Sequence, residues 1–180
     1  MGARSDAKRT LHDMLVNGLA AGAFGIPALR VKLLRLLGVQ IGQATKIHGR
    51  CWFGGVDIEI GERSWINYGA TFDNAAKIVI GDDCLVGPQV MFLTSSHDIG
   101  PSERRGADAT AMPISVGSGC WLGARSVIMP GITIGEGCVI AAGSIVTRDC
   151  PPNTLFAGVP ARAIRELDVK DTEFGQQAKA

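Results

Sequence analysis

The sequence predicts an all-β chain wound as a parallel β-helix of about five coils, with N-terminal helices and a short C-terminal helix. Three observations support this: an unusual composition, a six-residue apolar repeat and one long break in that repeat. The 180 residues are 46% hydrophobic but only 6% aromatic, and they include 24 glycines. Small and β-branched side chains suit a thin, repetitive core better than a globule packed with large side chains.

From residue 41 onward, an aliphatic residue or phenylalanine recurs every six residues and is usually followed by glycine. These positions form five groups of three: Ile41, Ile47, Phe53; Ile60, Ile66, Phe72; Ile80, Val86, Phe92; Val116, Leu122, Ile128; Ile134, Ile140, Val146. One extra residue precedes Ile60, two precede Ile80 and eighteen precede Val116. Three hexads then make one triangular coil with a short strand on each face, and each coil is stable only against its neighbours.

The position within the hexad predicts where each side chain points. The first residue faces inward, the fifth faces inward and must be small, and glycine or polar residues take the corner. Phe53, Phe72 and Phe92 share one position in successive coils, so we expect them to stack as an internal column.

The cysteines and tryptophans follow the same register. All five cysteines occupy the small inward position: Cys51, Cys84, Cys120, Cys138 and Cys150. This register, without any CxxC pair, favours structural thiols over a metal site, a disulfide or a nucleophile. The three tryptophans occupy the outward sixth position, which favours a pocket wall or a subunit interface: Trp52, Trp65 and Trp121.

Charge and hydropathy exclude some classes of partner. The net charge is +1 and no run of lysine or arginine resembles a phosphate-binding stripe, which argues against nucleic acid. The uncharged stretch 15–29 is short for a bilayer span and is interrupted by glycine and proline. We therefore expect packed helices, no stable membrane insertion and, with no secretory signal evident, a cytoplasmic protein.

His97 is the strongest catalytic candidate. It ends the run FLTSSH directly before the long break, and residues 98–115 are predicted to leave the helix as an inserted loop. Long loops on a rigid scaffold commonly carry function, and an imidazole can accept a proton from a hydroxyl near neutral pH. His12 and His48 are given no role, His48 being interpreted as a surface residue.

These features together resemble the hexapeptide-repeat acyltransferases over residues 41 to about 166. The resemblance is carried by SSHDI, INYG, GCWLGARSVIMPGITIGEGCVIAAGSIVTRD and PPNTLFAGVPARAIREL. It is strongest to the galactoside, maltose and streptogramin acetyltransferases, while the N-terminal helices followed by LLRLLGVQIG are more similar to polysaccharide O-acetyltransferases. The resemblance implies a left-handed helix, acetyl-CoA as co-substrate, no metal, and a homotrimer with inter-subunit active sites.

The resemblance also implies roles for individual residues. His97 matches the general base, Asn67 matches an acceptor-contacting residue, and Asp73 or Asn74 lies near a second acceptor position. The positions matching those that line the CoA cleft are Trp121, Gly123, Ala124, Ala142, Thr147, Arg148, Arg162 and Arg165. Ala124 departs from the galactoside enzyme, which has serine there, so a backbone N–H around Gly123–Ala124 would have to stabilise the tetrahedral oxygen.

Asn67 and His97 are expected on different faces of one prism, because Asn67 follows the second inward position of its coil, Ile66, and His97 closes the third hexad of the next coil. They can share a pocket only where neighbouring subunits meet, which again predicts a trimer.

The predicted organisation is an N-terminal helical cap over 1–40, the β-helix over 41–151 with the insertion at 98–115, and a closing loop, short helix and tail over 152–180. The function implied is CoA-dependent transfer of acetyl to a hydroxyl of a sugar, polysaccharide unit or similar acceptor. An antibiotic or other xenobiotic acceptor, serine as acceptor, and a non-catalytic β-helix scaffold remain alternatives. A γ-class carbonic anhydrase is disfavoured, because it needs three zinc-binding histidines and the coils carry only His48 and His97.

Overall fold

The computed structural model describes residues 10–22 and 26–168. Two helices precede the strands: α1 (Asp13–Ala20), wound as a π-helix, and α2 (Pro27–Leu36). As predicted, α2 begins at Pro27 and ends just before Gly38, which adopts a φ of +109°. The tail expected beyond residue 168 and the first nine residues of the predicted cap lie outside the described residues. No helix in the described part of the chain is long and apolar enough to cross a membrane.

The strands wind into a triangular prism with three parallel sheets. Sheet A contains β1 (Gln40–Ile41), β4 (Ile58–Ile60), β7 (Ile78–Ile80), β12 (Ile114–Val116) and β15 (Thr133–Ile134). Sheet B contains β2 (Lys46–Ile47), β5 (Trp65–Ile66), β8 (Leu85–Val86), β13 (Trp121–Leu122), β16 (Val139–Ile140), β18 (Thr154–Gly158) and the antiparallel β19 (Ala161–Glu166). Sheet C contains β3 (Trp52–Phe53), β6 (Thr71–Asp73), β9 (Met91–Leu93), β14 (Val127–Ile128) and β17 (Ile145–Val146).

The hexad register is confirmed inside the prism. The rings of Phe53 and Phe72 are stacked with centroids 4.8 Å apart, and those of Phe72 and Phe92 with centroids 5.1 Å apart. The fourth hexad position turns the corner with a positive φ, as at Arg63 (+53°) and Gly119 (+71°). This left-handed conformation explains why glycine and polar residues recur there.

The fifth positions of the first hexad in each coil form a buried column just before the strands of sheet B. Its members each donate a hydrogen bond to a carbonyl of the adjacent coil: Thr45 to Gly61 (2.6 Å), Ser64 to Gly81 (2.9 Å), Cys84 to Gly117 (3.2 Å), Cys120 to Gly135 (3.1 Å) and Cys138 to Pro151 (3.0 Å). All five cysteines are buried free thiols. Cys84, Cys120 and Cys138 therefore join adjacent coils by hydrogen bonds, while Cys51 and Cys150 fill fifth positions elsewhere in the tightly packed interior.

The two helices pack against the open end of the first coil. Buried Arg30 of α2 donates from Nη1 to the carbonyl of Ile47 at 3.0 Å. His12, which precedes α1, and Asn17 within it both bond to the carbonyl of Phe53, at 2.9 and 3.0 Å. Backbone groups that would otherwise face solvent at the end of the prism are thereby satisfied.

Three details differ from the sequence-based expectations. The prism has about six coils rather than five, because Cys150 bridges to Ile134 and β18 extends sheet B beyond β16. The described part of the closing segment is the β18–β19 hairpin rather than a short helix. The insertion is not an irregular loop over 98–115: it is an antiparallel hairpin of β10 (Ser95–Ile99) and β11 (Gly106–Ala111), and sheet A resumes at Ile114.

Candidate active site

His97 lies in β10 of the projecting hairpin, opposite Ala109 of β11. The hairpin leaves the prism after β9, at the corner between sheets C and A, and all five residues of β10 are exposed. The imidazole is thus held on a regular two-stranded arm instead of at the base of a loop, and solutes reach it freely.

The hydrogen bond of His97 fixes which nitrogen can act as a base. Nδ1 lies 3.1 Å from the carbonyl oxygen of Ala107. A carbonyl can only accept, so Nδ1 carries the proton in this pair and the neutral ring presents the lone pair of Nε2. The hairpin therefore orients the imidazole and sets its tautomer.

Asp73 ties the base of this hairpin to sheet C. Its carboxylate accepts the backbone N–H of Ser95 at 3.2 Å and the Ser95 hydroxyl through a shorter contact. The backbone carbonyl of Asp73 accepts from the backbone N–H of Thr94 at 3.1 Å and from the Thr94 hydroxyl. Asp73 thus holds β10 two residues before His97, a positioning contact that the sequence did not predict.

A cavity of about 410 Å³ opens beside Asp73 on sheet C. Its lining combines two carboxylates, an amide and an imidazole with one indole wall and small residues: His12, Asp13, Trp52, Gly54, Asp73, Asn74 and Ala75. His12 and Asp13 were given no role from the sequence, because tertiary packing brings them here from a helix some forty residues away. Carboxylate, amide and imidazole groups around an aromatic wall can hydrogen-bond and stack a polyhydroxylated molecule.

Asn67 lies at a different corner, directly after β5, where sheet B turns into sheet C. Its Oδ1 accepts the N–H of Tyr68 at 2.8 Å, which leaves the two N–H groups of Nδ2 as donors. The fold therefore separates Asn67 from His97 by one face of the prism, as the register predicted.

An aromatic cluster adjoins Asn67. His48 stacks on Trp65 with centroids 5.1 Å apart and meets Tyr68 at 4.6 Å. His48 is half-buried, and its Nε2 is buried without a hydrogen-bond partner. The interpretation of His48 as a simple surface residue is therefore wrong.

The CoA-side candidates occupy two corners and the far end of the prism. Trp121 lies on β13 of sheet B, and Gly123, Ala124 and Ala142 lie after β13 and β16 at the corner between sheets B and C of the fourth and fifth coils. Gly123 is buried, and a Cβ there would collide with the backbone of Ala142, so only glycine fits. The Gly123 N–H already donates to the carbonyl oxygen of Ile140 at 2.7 Å. Of the two backbone groups suggested as oxyanion donors, this leaves the N–H of Ala124.

The remaining CoA-side candidates are exposed. Thr147 and Arg148 follow β17 at the corner between sheets C and A, and Arg162 and Arg165 lie on β19 at the last coil. One chain therefore carries Asn67 and Trp121 on one corner and His97, Thr147 and Arg148 on another.

Among the described residues, no group of three or more histidine, cysteine, aspartate or glutamate side chains is placed to hold a metal ion. Burial raises the pKa of the Cys51 thiol to about 11 and that of Cys150 to about 12. Thiols so reluctant to ionise are poor nucleophiles and poor ligands.

A solenoid of stacked hexads with an inserted hairpin is the fold expected of a hexapeptide-repeat acyltransferase. Residues 113–148 match the family model described as the hexapeptide repeat of succinyl-transferase. The galactoside O-acetyltransferase of Escherichia coli K12 is 35% identical over 146 residues, covering 81% of this chain and 72% of that enzyme. The chain belongs to the hexapeptide-repeat acetyltransferases.

Two solved structures support this assignment over nearly the whole chain. A hexapeptide-repeat acetyltransferase of Vibrio cholerae, complexed with acetyl coenzyme A, is 33% identical with a TM-score of 0.83, and the match covers 93% of this chain and 91% of that one. A galactoside acetyltransferase in complex with coenzyme A is 31% identical with a TM-score of 0.85, covering 97% of this chain and 88% of that one.

Proposed function

We propose that this protein is an O-acetyltransferase that moves acetyl from acetyl-CoA to a hydroxyl of a saccharide or similar polyhydroxylated acceptor, with His97 as general base. The observation that carries the proposal is the hydrogen bond from His97 Nδ1 to the Ala107 carbonyl, which leaves Nε2 free to accept a proton. The acceptor pocket is the cavity beside Asp73, since its polar lining and Trp52 wall suit a sugar ring.

The CoA cleft is proposed along Trp121, Gly123, Ala124, Ala142, Thr147, Arg148, Arg162 and Arg165. Gly123 lets the fourth and fifth coils stack closely beside this cleft, and the exposed guanidinium groups suit the phosphates. Both bound relatives named above contain acetyl-CoA or CoA, which supports this donor.

The proposed reaction is direct transfer. Nε2 of His97 takes the proton of the acceptor hydroxyl, whose oxygen forms a bond to the thioester carbonyl carbon. The Ala124 N–H stabilises the developing oxyanion. The C–S bond then breaks, and the leaving thiolate takes the proton from His97, so free CoA and the acetyl ester are released without a covalent enzyme intermediate.

The active site is proposed at the interface between subunits of a homotrimer. Asn67 and His97 of one chain lie at different corners, so a pocket containing both needs His97 from one subunit and Asn67 from its neighbour. The aromatic cluster around Trp65 would then face the acceptor pocket of the adjacent subunit.

The proposal is tested by following free thiol release from acetyl-CoA over a panel of saccharides, serine and hydroxylated antibiotics. We expect one saccharide class to support turnover, and His97→Ala to lower kcat by about 10²–10⁴-fold. Ser102→Ala at the hairpin tip is the matched control and should keep wild-type activity. Full thiol release by His97→Ala on the true acceptor would contradict the role of the base.

A further inference from the structure

The outer surface of the N-terminal cap is apolar where a water-exposed helix would normally be polar. Along α1 and the residue pair before it, the exposed side chains are Leu11, Met14, Leu15 and Leu19, which stand at positions i, i+3, i+4 and i+8. Met14 is 66% exposed and Leu19 62% exposed. We call these four residues the apolar stripe.

The polar residues of the same segment point the other way. His12 and Asn17 are half-buried and bond to the carbonyl of Phe53, and Asn17 also donates to Asp13 at 3.0 Å. The polar side chains of this segment thus contact the prism, and its apolar side chains face outward. An amphipathic helix whose apolar face is exposed is typical of a surface that binds an apolar partner.

Helix α2 extends this surface and adds positive charge. Leu29 is 51% exposed and Leu36 75% exposed, and the cations Lys32 and Arg35 are exposed between and beside them. Arg35 caps the carbonyls of Ile41 and Gly42 at 2.9 and 2.7 Å but keeps its charge. The exposed residues of α2 include no acidic side chain.

From this placement we propose that the N-terminal cap docks on an anionic phospholipid surface, with the apolar stripe in the interface and Lys32 and Arg35 near the headgroups. Apolar side chains flanked by cations, on helices too short to span a bilayer, are typical of helices that lie in the membrane interface. An isologous contact between two copies is less favourable, because it would bring the same cations of both chains together. The docking surface lies at the first coil, whereas the proposed CoA-side residues lie at the fourth to sixth coils, so both can be used at once.

The test is co-sedimentation of the full-length chain with vesicles of equal parts phosphatidylglycerol and phosphatidylcholine, compared with vesicles of phosphatidylcholine alone. We expect binding to the anionic vesicles that weakens in 0.5 M salt. Met14→Ser with Leu19→Ser should lower the partition coefficient by at least about tenfold, because two apolar side chains no longer enter the interface. Met112→Ser, which removes an exposed apolar residue from the hairpin side of the molecule, is the matched control and should bind as wild type.

The role of charge is tested separately with Lys32→Glu, which should weaken binding to the anionic vesicles by about fivefold or more. Arg104→Glu on the hairpin is the matched control and should bind as wild type. Acetyl transfer to a soluble acceptor and the urea midpoint should be unchanged in every variant, since all five substituted side chains are exposed. Absence of binding to anionic vesicles would overturn the proposal. So would a change in molar mass of the Met14→Ser, Leu19→Ser variant by light scattering, because the stripe would then be a contact between copies of the chain.

Discussion

The imidazole of His97, the proposed general base, illustrates how neighbouring groups hold a single side chain in place. One nitrogen is committed to the Ala107 carbonyl, and the strand bearing the ring is held by Asp73 through Ser95. These contacts remove rotational freedom before any substrate binds, so the base is oriented in advance. The groups that contact His97 and its strand, and not the histidine alone, define the proposed site.

The thiol of Cys51 provides a residue-scale prediction. Burial raises its pKa from a usual value near 9 to about 11, so above pH 9 the unfolded chain loses this proton while the folded chain keeps it. The folded state then binds more protons, and the free energy of unfolding falls as the pH rises from about 9 to 11. Relative to Cys51→Ala, wild type should lose about 2 kcal/mol of stability between pH 8 and pH 10.5.

Urea unfolding of wild type and of Cys51→Ala at pH 8 and pH 10.5 measures this difference in the free energy of unfolding. Comparing the two proteins cancels the titration of the groups that they share. Alkylation at pH 8 is a second readout: the peptide containing Cys51 should be labelled only after unfolding. Rapid labelling in the native state would contradict the assignment of a buried, structural thiol.

At the scale of elements, the phenylalanine column tests how the coils hold together. Phe72 stacks on both neighbours, with centroids 4.8 Å from Phe53 and 5.1 Å from Phe92. Phe72→Ala should destabilise the fold by about 3–5 kcal/mol through the cavity it leaves. Thr71→Ala, on the same strand but facing out, should cost less than about 1 kcal/mol in the same urea titration, and equal losses would show that the column is not the core.

The β10–β11 hairpin, which carries the proposed base His97, should behave as an element separable from the prism. An added Cβ at Gly100 would collide with the backbone carbonyl oxygen of Arg104, which distorts the hairpin between β10 and β11. Because β10 is exposed along its length, Gly100→Ala should leave the urea midpoint unchanged while kcat falls about tenfold or more as His97 loses its orientation. Ser102→Ala serves as control, and wild-type kcat in Gly100→Ala would show that the hairpin does not position the base.

The elements also show where sequence reasoning succeeds and where it fails. Hexad spacing predicted each inward position because every coil repeats the same environment. The β10–β11 hairpin left no such pattern, since nearly all of its residues are exposed and neither face needs apolar side chains. The closing segment ARAIRE reads as helix from its alanine, arginine and glutamate content, but pairing with β18 makes it a strand.

At the scale of the whole molecule, local sequence pattern pointed to some residues of the candidate site and not to others. His97 was found because it adjoins the break in the repeat, and Asn67 through the INYG stretch. His12 and Asp13 carried no signal, because they reach the cavity only when α1 packs against β3, some forty residues further along the chain. Contacts of that range depend on the assembled prism and not on any local pattern.

The assembly itself gives the decisive whole-molecule prediction. If each site takes His97 from one subunit and Asn67 from its neighbour, His97→Ala and Asn67→Ala trimers are both nearly inactive. After co-refolding equal amounts, a site is intact when an Asn67→Ala subunit supplies His97 to a neighbour that still has Asn67. Random mixing makes this true for about one site in four, so roughly a quarter of wild-type thiol release should return. Light scattering must show the same trimer mass in all samples. If the mixture is no more active than its components, His97 and Asn67 belong to sites within a single subunit. This result would contradict the proposal of a site shared between subunits.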